Sequence, residues 1–220
     1  MHLIDEALGA FLTELFDSYE VHVEIAHCDL TTKGNVNMTT VLKELWGFVD
    51  AVRKKYCWKK SDFRQIVHLV DMDGAFVIDN AVVEDMNAHH PVYTLSEIRA
   101  DRVNDIRARN KQKSGCLERI SIASELSGIP YQAYYMASNL DHVLYDKLNL
   151  GRDDKIKNAF SFARKYRNDF NGLVDFFCNS YFSICSDFLS SWAFIKEDMH
   201  SLERHTNLGI CIQRAIEKKN

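Results

Sequence analysis

Residues 65–74 read Gln-Ile-Val-His-Leu-Val-Asp-Met-Asp-Gly. Ile66, Val67, Leu69 and Val70 make a short apolar run that stops at Asp71. Such a run, lying between helical patterns, has the look of a strand buried between two layers in a parallel sheet. His68, inside it, reads as a hydrogen-bonded core histidine. Asp71 and Asp73 stand two residues apart, so in extended chain they point to one face and can converge on one cation. Gly74 lets the backbone turn closely past them. Ligands of open α/β sheets bind at the carboxyl ends of the strands, and Mg²⁺ takes one or two carboxylates together with waters and phosphate oxygens. Asp71 and Asp73 are therefore the candidate ligands of Mg²⁺ or Mn²⁺ in a phosphate-handling site. The plainer alternative is a polar turn whose acids are solvated or bonded to loop amides.

Upstream of this strand, Ile4, Leu8, Phe11, Leu12, Leu15, Phe16 and Tyr19 recur at helical spacing, which predicts a helix over 4–19. The alternation of Val21, Val23 and Ile25 predicts a strand. Val41 to Tyr56 returns to helical spacing, with Thr39 as the N-cap. Downstream, 74–95 reads as a loop with at most a short extra element. Ser96 is expected to cap a charged helix running to Lys113, followed by a short helix ending at Gly128. Ile129 to Ala137 reads as a third strand, and Ser138 as the N-cap of the next helix. From Asp153 the pattern is one long amphipathic helix, interruptible at Asn171-Gly172, then another over 188–202, with Asn207 and Gly209 as stop signals. The expected architecture is a single α/β core over 1–150, with a helical extension over 151–220 packed on it.

Composition narrows the function classes. Of the 220 residues, 46% are hydrophobic, too many for a disordered chain, and no uncharged apolar run is long enough to span a bilayer. The first residues carry acids where a secretory signal carries Lys or Arg, so a cytoplasmic location is expected, without a membrane partner. The six cysteines, at 28, 57, 116, 178, 185 and 211, include no C-x-x-C pair and read as reduced thiols. A net charge of -4 excludes a uniformly basic nucleic-acid binder but leaves room for a local basic surface. Arg99, Arg102, Arg109 and Lys113 fall within about 80° on the wheel of the expected helix and form a candidate nucleic-acid-binding stripe. Arg53 to Lys60 is a basic run with two aromatics, suited to phosphate neutralisation and base stacking. A solvated helix face and dipole-complementing cations are the structural alternatives for the two features. His142, just after the third strand, is a candidate general base; packing or surface placement is the alternative. His89-His90 lacks zinc-site spacing, and Arg204 and His205 could reach a phosphate if their helix folds over the crevice. No Walker loop, G-x-G-x-x-G or G-x-S-x-G motif is present.

Two resemblances attach to these residues. Leu69-Val-Asp-Met-Asp-Gly-Ala-Phe resembles the first motif of haloacid dehalogenase-like phosphatases, with Ser138 resembling their second; this implies Asp71 as nucleophile and Asp73 as acid/base. The order of elements over residues 4–145, with Asp71-x-Asp73 followed by Ala137-Ser138-Asn139 and a helix, resembles the Toprim fold of topoisomerases, primases and defence-associated nucleases. That resemblance implies a Rossmann-type, mostly parallel sheet flanked by helices, Mg²⁺ or Mn²⁺ on Asp71 and Asp73, and metal-dependent cleavage of DNA or RNA. It also implies a setting in bacterial or phage defence, with a homo-oligomer or a defence-system protein as partner. Toprim enzymes carry a Glu at the end of the first strand, whereas here only His2-Leu3-Ile4 precedes the first helix. A truncated start, Glu6 as a displaced substitute, and an impaired site are the open explanations. A non-catalytic interaction protein retaining the fold is the remaining alternative.

Overall fold

The computed structural model of the protein describes residues 11–16, 21–24 and 29–218. In chain order, α1 (Val41–Lys55) leads to β1 (Ile66–Asp71), and an inserted region then carries β2 (Val82–Glu84), β3 (Val92–Tyr93) and β4 (Ile98–Ala100). After it come α2 (Val103–Ser121), β5 (Glu125–Leu126), β6 (Ile129–Met136) and α3 (Leu140–Tyr145). The C-terminal part is helical: α4 (Arg152–Lys165), α5 (Phe170–Cys178), α6 (Phe188–Phe194) and α7 (Leu208–Glu217).

The strand expected over 65–70 is β1, and it pairs in parallel with β6 from Ile66 opposite Tyr131 to Asp71 opposite Met136. Helix α2 makes the crossover that a parallel pair requires. β5 and β6 form a tight hairpin through Ser127 and Gly128, both at positive φ, the geometry that suits the right-handed twist of paired strands. Side chains of β6 alternate between two cores. Tyr131, Ala133 and Tyr135 pack with Leu117 and Ile120 of α2 and with Val41 and Leu45 of α1. Tyr134 and Met136 pack with Leu173, Phe177, Leu208 and Ile212 of the C-terminal helices. The inserted strands form a second small sheet, ordered β2-β4-β3, over Val77, Val82, Ile98, Ile106 and Leu202.

The architecture is mixed α/β, with two three-stranded sheets that each contain one parallel and one antiparallel pairing. The mostly parallel sheet expected from the sequence is not what the described residues form. Residues 21–24 are not a strand, and 25–28 lie outside the described residues. The outer edge of β6 is instead closed by the segment before α7. Asn207 Oδ1 accepts from Tyr135 N at 2.8 Å, His205 O accepts from Ala137 N at 2.8 Å, and Thr206 Oγ1 donates to Tyr135 O at 2.8 Å. Side-chain and loop groups thus satisfy backbone that another strand would otherwise pair.

Several local expectations also change. The helix expected over 4–19 is seen at 11–15, the rest being outside the described residues apart from a turn at Phe16. Thr40 takes the N-cap position of α1, while Thr39 bonds the Asn37 side chain. Ser96 caps no helix: Thr94 and Glu97 form a turn, β4 follows, and α2 starts at Val103 and runs unbroken to Ser121. The short helix expected after Lys113 and ending at Gly128 is instead the last two turns of α2, to Ser121, followed by the β5-β6 hairpin. Asn139, not Ser138, caps α3 by accepting from His142 N at 3.0 Å. The long C-terminal helix breaks ahead of Asn171-Gly172, because Asp169 caps α5 by accepting from Gly172 N. The helix expected over 188–202 ends at Phe194, and Asn207 and Gly209 begin α7 instead of stopping a helix. No helix among the described residues is long and apolar enough to cross a membrane.

Asn207 is fully buried and also donates Nδ2 to Ser191 Oγ at 3.0 Å. Asn207→Ala leaves the Tyr135 N–H without its acceptor in the core, a loss of about 1–3 kcal/mol. Urea unfolding of this variant is expected to show that loss with an unchanged denaturant slope. A variant as stable as the native chain would contradict this role.

Candidate functional site

β1 delivers Asp71 to the carboxyl end of the parallel pair. Asp71 Oδ1 accepts from Leu140 N, the first residue of α3, at 2.9 Å. Beyond Asp71 the backbone keeps following β6: Met72 N donates to Met136 O at 3.0 Å and Asp73 N to Ser138 O at 2.7 Å. Asp73 and Gly74 then take positive φ, 45° and 84°, and the chain turns away. Gly74 is required by contact as well as by φ: a Cβ there would stand 2.5 Å from Ile98 Cδ1 and 3.2 Å from the Asn110 amide.

Into this turn α2 projects Lys113, whose side chain is 1% exposed. Its Nζ donates to Asp73 Oδ2 at 2.8 Å and to Asp29 Oδ2 at 2.6 Å. Asp29 also accepts from Thr31 N at 2.9 Å and Thr31 Oγ1 at 2.5 Å. Arg109, four residues earlier on α2, donates Nη2 to Asp73 O at 2.8 Å and to Tyr93 OH at 2.9 Å. Tyr93 belongs to the inserted sheet, and its backbone is clasped by Asn149, which accepts from Tyr93 N and donates to Tyr93 O.

The electrostatics follow from this enclosure. Burial, and next the Asp73 charge, push the Asp71 carboxyl up to about 7, against the pull of Lys113 and the Leu140 N–H. Burial would raise Asp29 too, but the Lys113 charge and the hydrogen bonds from Lys113 and Thr31 hold it below the usual carboxylate value. Lys113 is desolvated, which alone would lower it; Asp73 and Asp29 outweigh that and raise it. One ammonium thus compensates two carboxylates, and among the described residues no cation forms an ion pair with Asp71.

The donor chemistry suits a small hard cation. Asp71 Oδ2 and Asp73 Oδ1 have no hydrogen bond among the described residues, and a carboxylate pair is the protein share that Mg²⁺ takes when waters and phosphate oxygens complete its shell. A dication would also hold Asp71 ionised. A complete protein cage is not present: no group of three or more His, Cys, Asp or Glu among the described residues is arranged to hold a metal ion, and Lys113 already stands between Asp29 and Asp73.

The other sequence-predicted residues scatter. Arg109 and Lys113 turn inward to the Asp73 turn. Arg99 lies on β4 and pairs with Glu97 at 2.6 Å, and Arg102 is exposed beside Asp105 at 4.0 Å. The basic stripe therefore does not exist as one face, because the helix that would align it begins only at Val103. His142 is buried, with Nε2 3.9 Å from Asp146 Oδ1, and desolvation lowers it to about 4. Among the described residues no hydrogen bond or ion pair joins His142 to Asp71 or Asp73, and its charged neighbours are Asp146, Arg204 and His205. His68 has Nδ1 2.7 Å from Tyr131 OH, the bonded histidine expected. In the basic run, Arg53 and Lys54 pair with Asp50, while Tyr56 and Trp58 stack with centroids 4.8 Å apart. Asp29, Tyr93 and Asn149 are site-supporting residues absent from the sequence reading. Of these only Asp29-x-Thr31 carries a local signal, an Asp followed by a turn-forming Thr.

No family model, curated protein or solved structure matches this chain.

Because Asp71 stands near 7 in the fold against 3.8 ordinarily, the folded protein binds the extra proton between those values, and its stability falls as pH rises through that window. Asp71→Asn removes this dependence while keeping an acceptor for Leu140 N–H. With EDTA present, the variant is expected to exceed the native chain by roughly 1–3 kcal/mol at pH 8 and by little near pH 4, read from urea unfolding at each pH. A gap of the same size at both pH values would show that Asp71 is not raised.

Proposed function

We propose that this protein is a divalent-metal-dependent phosphodiesterase of nucleic acids, built on a Toprim-like variant of the α/β fold. The carrying observation is the pair Asp71 and Asp73 at the carboxyl end of β1, one oxygen of each hydrogen-bonded and the other without a hydrogen bond among the described residues. The order around it supports the fold reading: a parallel strand ending in Asp-x-Asp, a crossover helix, then a second parallel strand followed by Ser138, Asn139 and a helix.

Mg²⁺ or Mn²⁺ on Asp71 and Asp73 would supply Lewis-acid polarisation of a phosphoryl oxygen and a bound water of lowered pKa. The residues of the chain have separable tasks. Leu140 N–H fixes the plane of the Asp71 carboxylate. Lys113 fixes Asp73 through Oδ2, and Oδ1 has no hydrogen bond among the described residues. Arg109 and Tyr93 hold the Asp73 carbonyl, so the turn keeps its positive φ when the site is loaded. Arg99 on β4 and Arg102 just before α2 are exposed cations, paired with Glu97 and Asp105, that would have to exchange those partners to meet a phosphate backbone.

One observation favours a second reading. Lys113 already neutralises part of the acid cluster, as a structural ion network would, and a non-catalytic interaction protein could keep such a network for stability alone.

Incubation with single- and double-stranded DNA and RNA in Mn²⁺ separates these. Cleavage is expected, reduced at least ~100-fold by Asp71→Asn or Asp73→Asn, since even groups that only support a metal ligand are worth up to that factor. Hydrolysis of a phosphomonoester with a trapped phosphoaspartate at Asp71 would replace the nuclease by a phosphatase of the haloacid dehalogenase-like type. Absence of any metal-stimulated turnover would favour the interaction protein.

A further inference from the structure

Away from the acid site, α5 ends on Cys178 and the chain loops back to Cys185 before α6. The two cysteines lie against the same turn, the first turn of α7. Cys178 Sγ also lies 3.7 Å from Gly209 O, and Cys185 Sγ 3.8 Å from Phe177 O. Gly209, in the first turn of α7, explains how they meet: the space a Cβ would take is filled by Cys185 Sγ, by Phe177 O and, at 3.2 Å, by Cys178 Cα. Any larger residue at 209 would drive the loop off the helix end. Both cysteines are free and only half-buried, whereas Cys116 and Cys211 are buried elsewhere and Cys57 is exposed on its own. Interaction with Cys178 lowers Cys185, while interaction with Cys185 and burial raise Cys178. This asymmetry gives one attacking and one resolving thiol.

We propose that Cys178 and Cys185 are a reversible dithiol–disulfide site whose co-reactant is a low-molecular-weight disulfide of the glutathione type. The Cys185 thiolate attacks one sulfur of the small disulfide, and the S–S bond breaks with release of one thiolate. The Cys178 thiol loses its proton to water and attacks the Cys185 sulfur of the mixed disulfide, expelling the second thiolate. The protein pair is oxidised by two electrons, and one small disulfide is reduced to two thiols. The bond closes the 178–185 loop beside the residues that seal the main sheet, because Phe182 O accepts from Thr206 N at 3.1 Å and Ile184 N donates to Thr206 O at 2.8 Å. Oxidation therefore staples the end of α5 to the loop that bonds Thr206, in the segment covering the edge of β6.

The test uses the full chain carrying Cys57→Ser and Cys28→Ser, which remove the exposed thiol among the described residues and the cysteine outside them. After incubation with oxidised glutathione under native conditions, alkylation and peptide mass spectrometry are expected to give a Cys178–Cys185 cross-linked peptide. The melting temperature should rise by about 5 °C, and dithiothreitol should reverse both changes. In the same background Cys178→Ser is expected to stop at a mixed disulfide on Cys185. Full alkylation of both thiols after oxidant treatment, or their linkage to other cysteines, would overturn the proposal. So would a glutathione adduct on Cys178 alone in the native pair.

Discussion

The ammonium of Lys113 is the charge on which the acid end of this molecule depends. It is enclosed by α2 and bonded to carboxylates from two distant parts of the chain, Asp29 and Asp73. An ammonium taken out of water is costly unless paired, and removing a partner of such a buried pair typically costs about 3–5 kcal/mol. The contact is therefore a geometric constraint as well as a charge balance. It sets how deep α2 sits and pulls the 29–33 turn onto the helix, where Gln112 Nε2 donates to the carbonyls of Thr31 and Lys33. It also leaves Asp73 with one oxygen bound and the other without a hydrogen bond among the described residues.

The strand end and the insertion follow from that constraint. Asp73 and Gly74 occupy positive φ, a conformation that costs free energy for Asp, and the turn persists because its carbonyl is held by Arg109 and its side chain by Lys113. Tyr93 and Asn149 then fasten the inserted sheet to the loop before α4. On the far side of the main sheet the same economy of contacts appears in Asn207 and Thr206, which finish hydrogen bonds of β6 that a wider sheet would have satisfied with strand backbone. The C-terminal helices are thus part of the structure of the central strand, through the 205–207 segment as much as through their apolar faces.

The central elements were legible because their signals are local and strong. The apolar run before Asp71, the run from Ile129 and the heptad-like spacing of Val41 to Val52 each dictate one element and one buried face. The Asp-x-Asp-Gly turn was legible for the same reason. The main sheet was not, because β6 ends its pairing on the Asn207 and Thr206 side chains and a single bridge to the 205–207 loop, and no periodicity there announces that. Ser96 carries a good capping residue type, yet Thr94, Ile98 and Ala100 are better satisfied in a turn and a strand buried against Ile106, so tertiary packing overrides the local signal. The basic stripe failed with the helix start. Lys113 could not be read as buried from the sequence, since its partners Asp29 and Asp73 are 84 and 40 residues away. Gly209 looks like a helix stop, and its real cause is the close approach of Phe177 and Cys185.

Metal-dependent chemistry here requires that the unbonded oxygens of Asp71 and Asp73 accept a dication beside the resident lysine. The direct measurement is calorimetric titration of Mn²⁺ into the native chain and into Asp71→Asn/Asp73→Asn, each with and without a non-hydrolysable phosphodiester. The account predicts micromolar binding to the native chain, strengthened by the phosphodiester and lost in the double variant. Absence of binding to the native chain in both conditions, or equal binding by the variant, would contradict it.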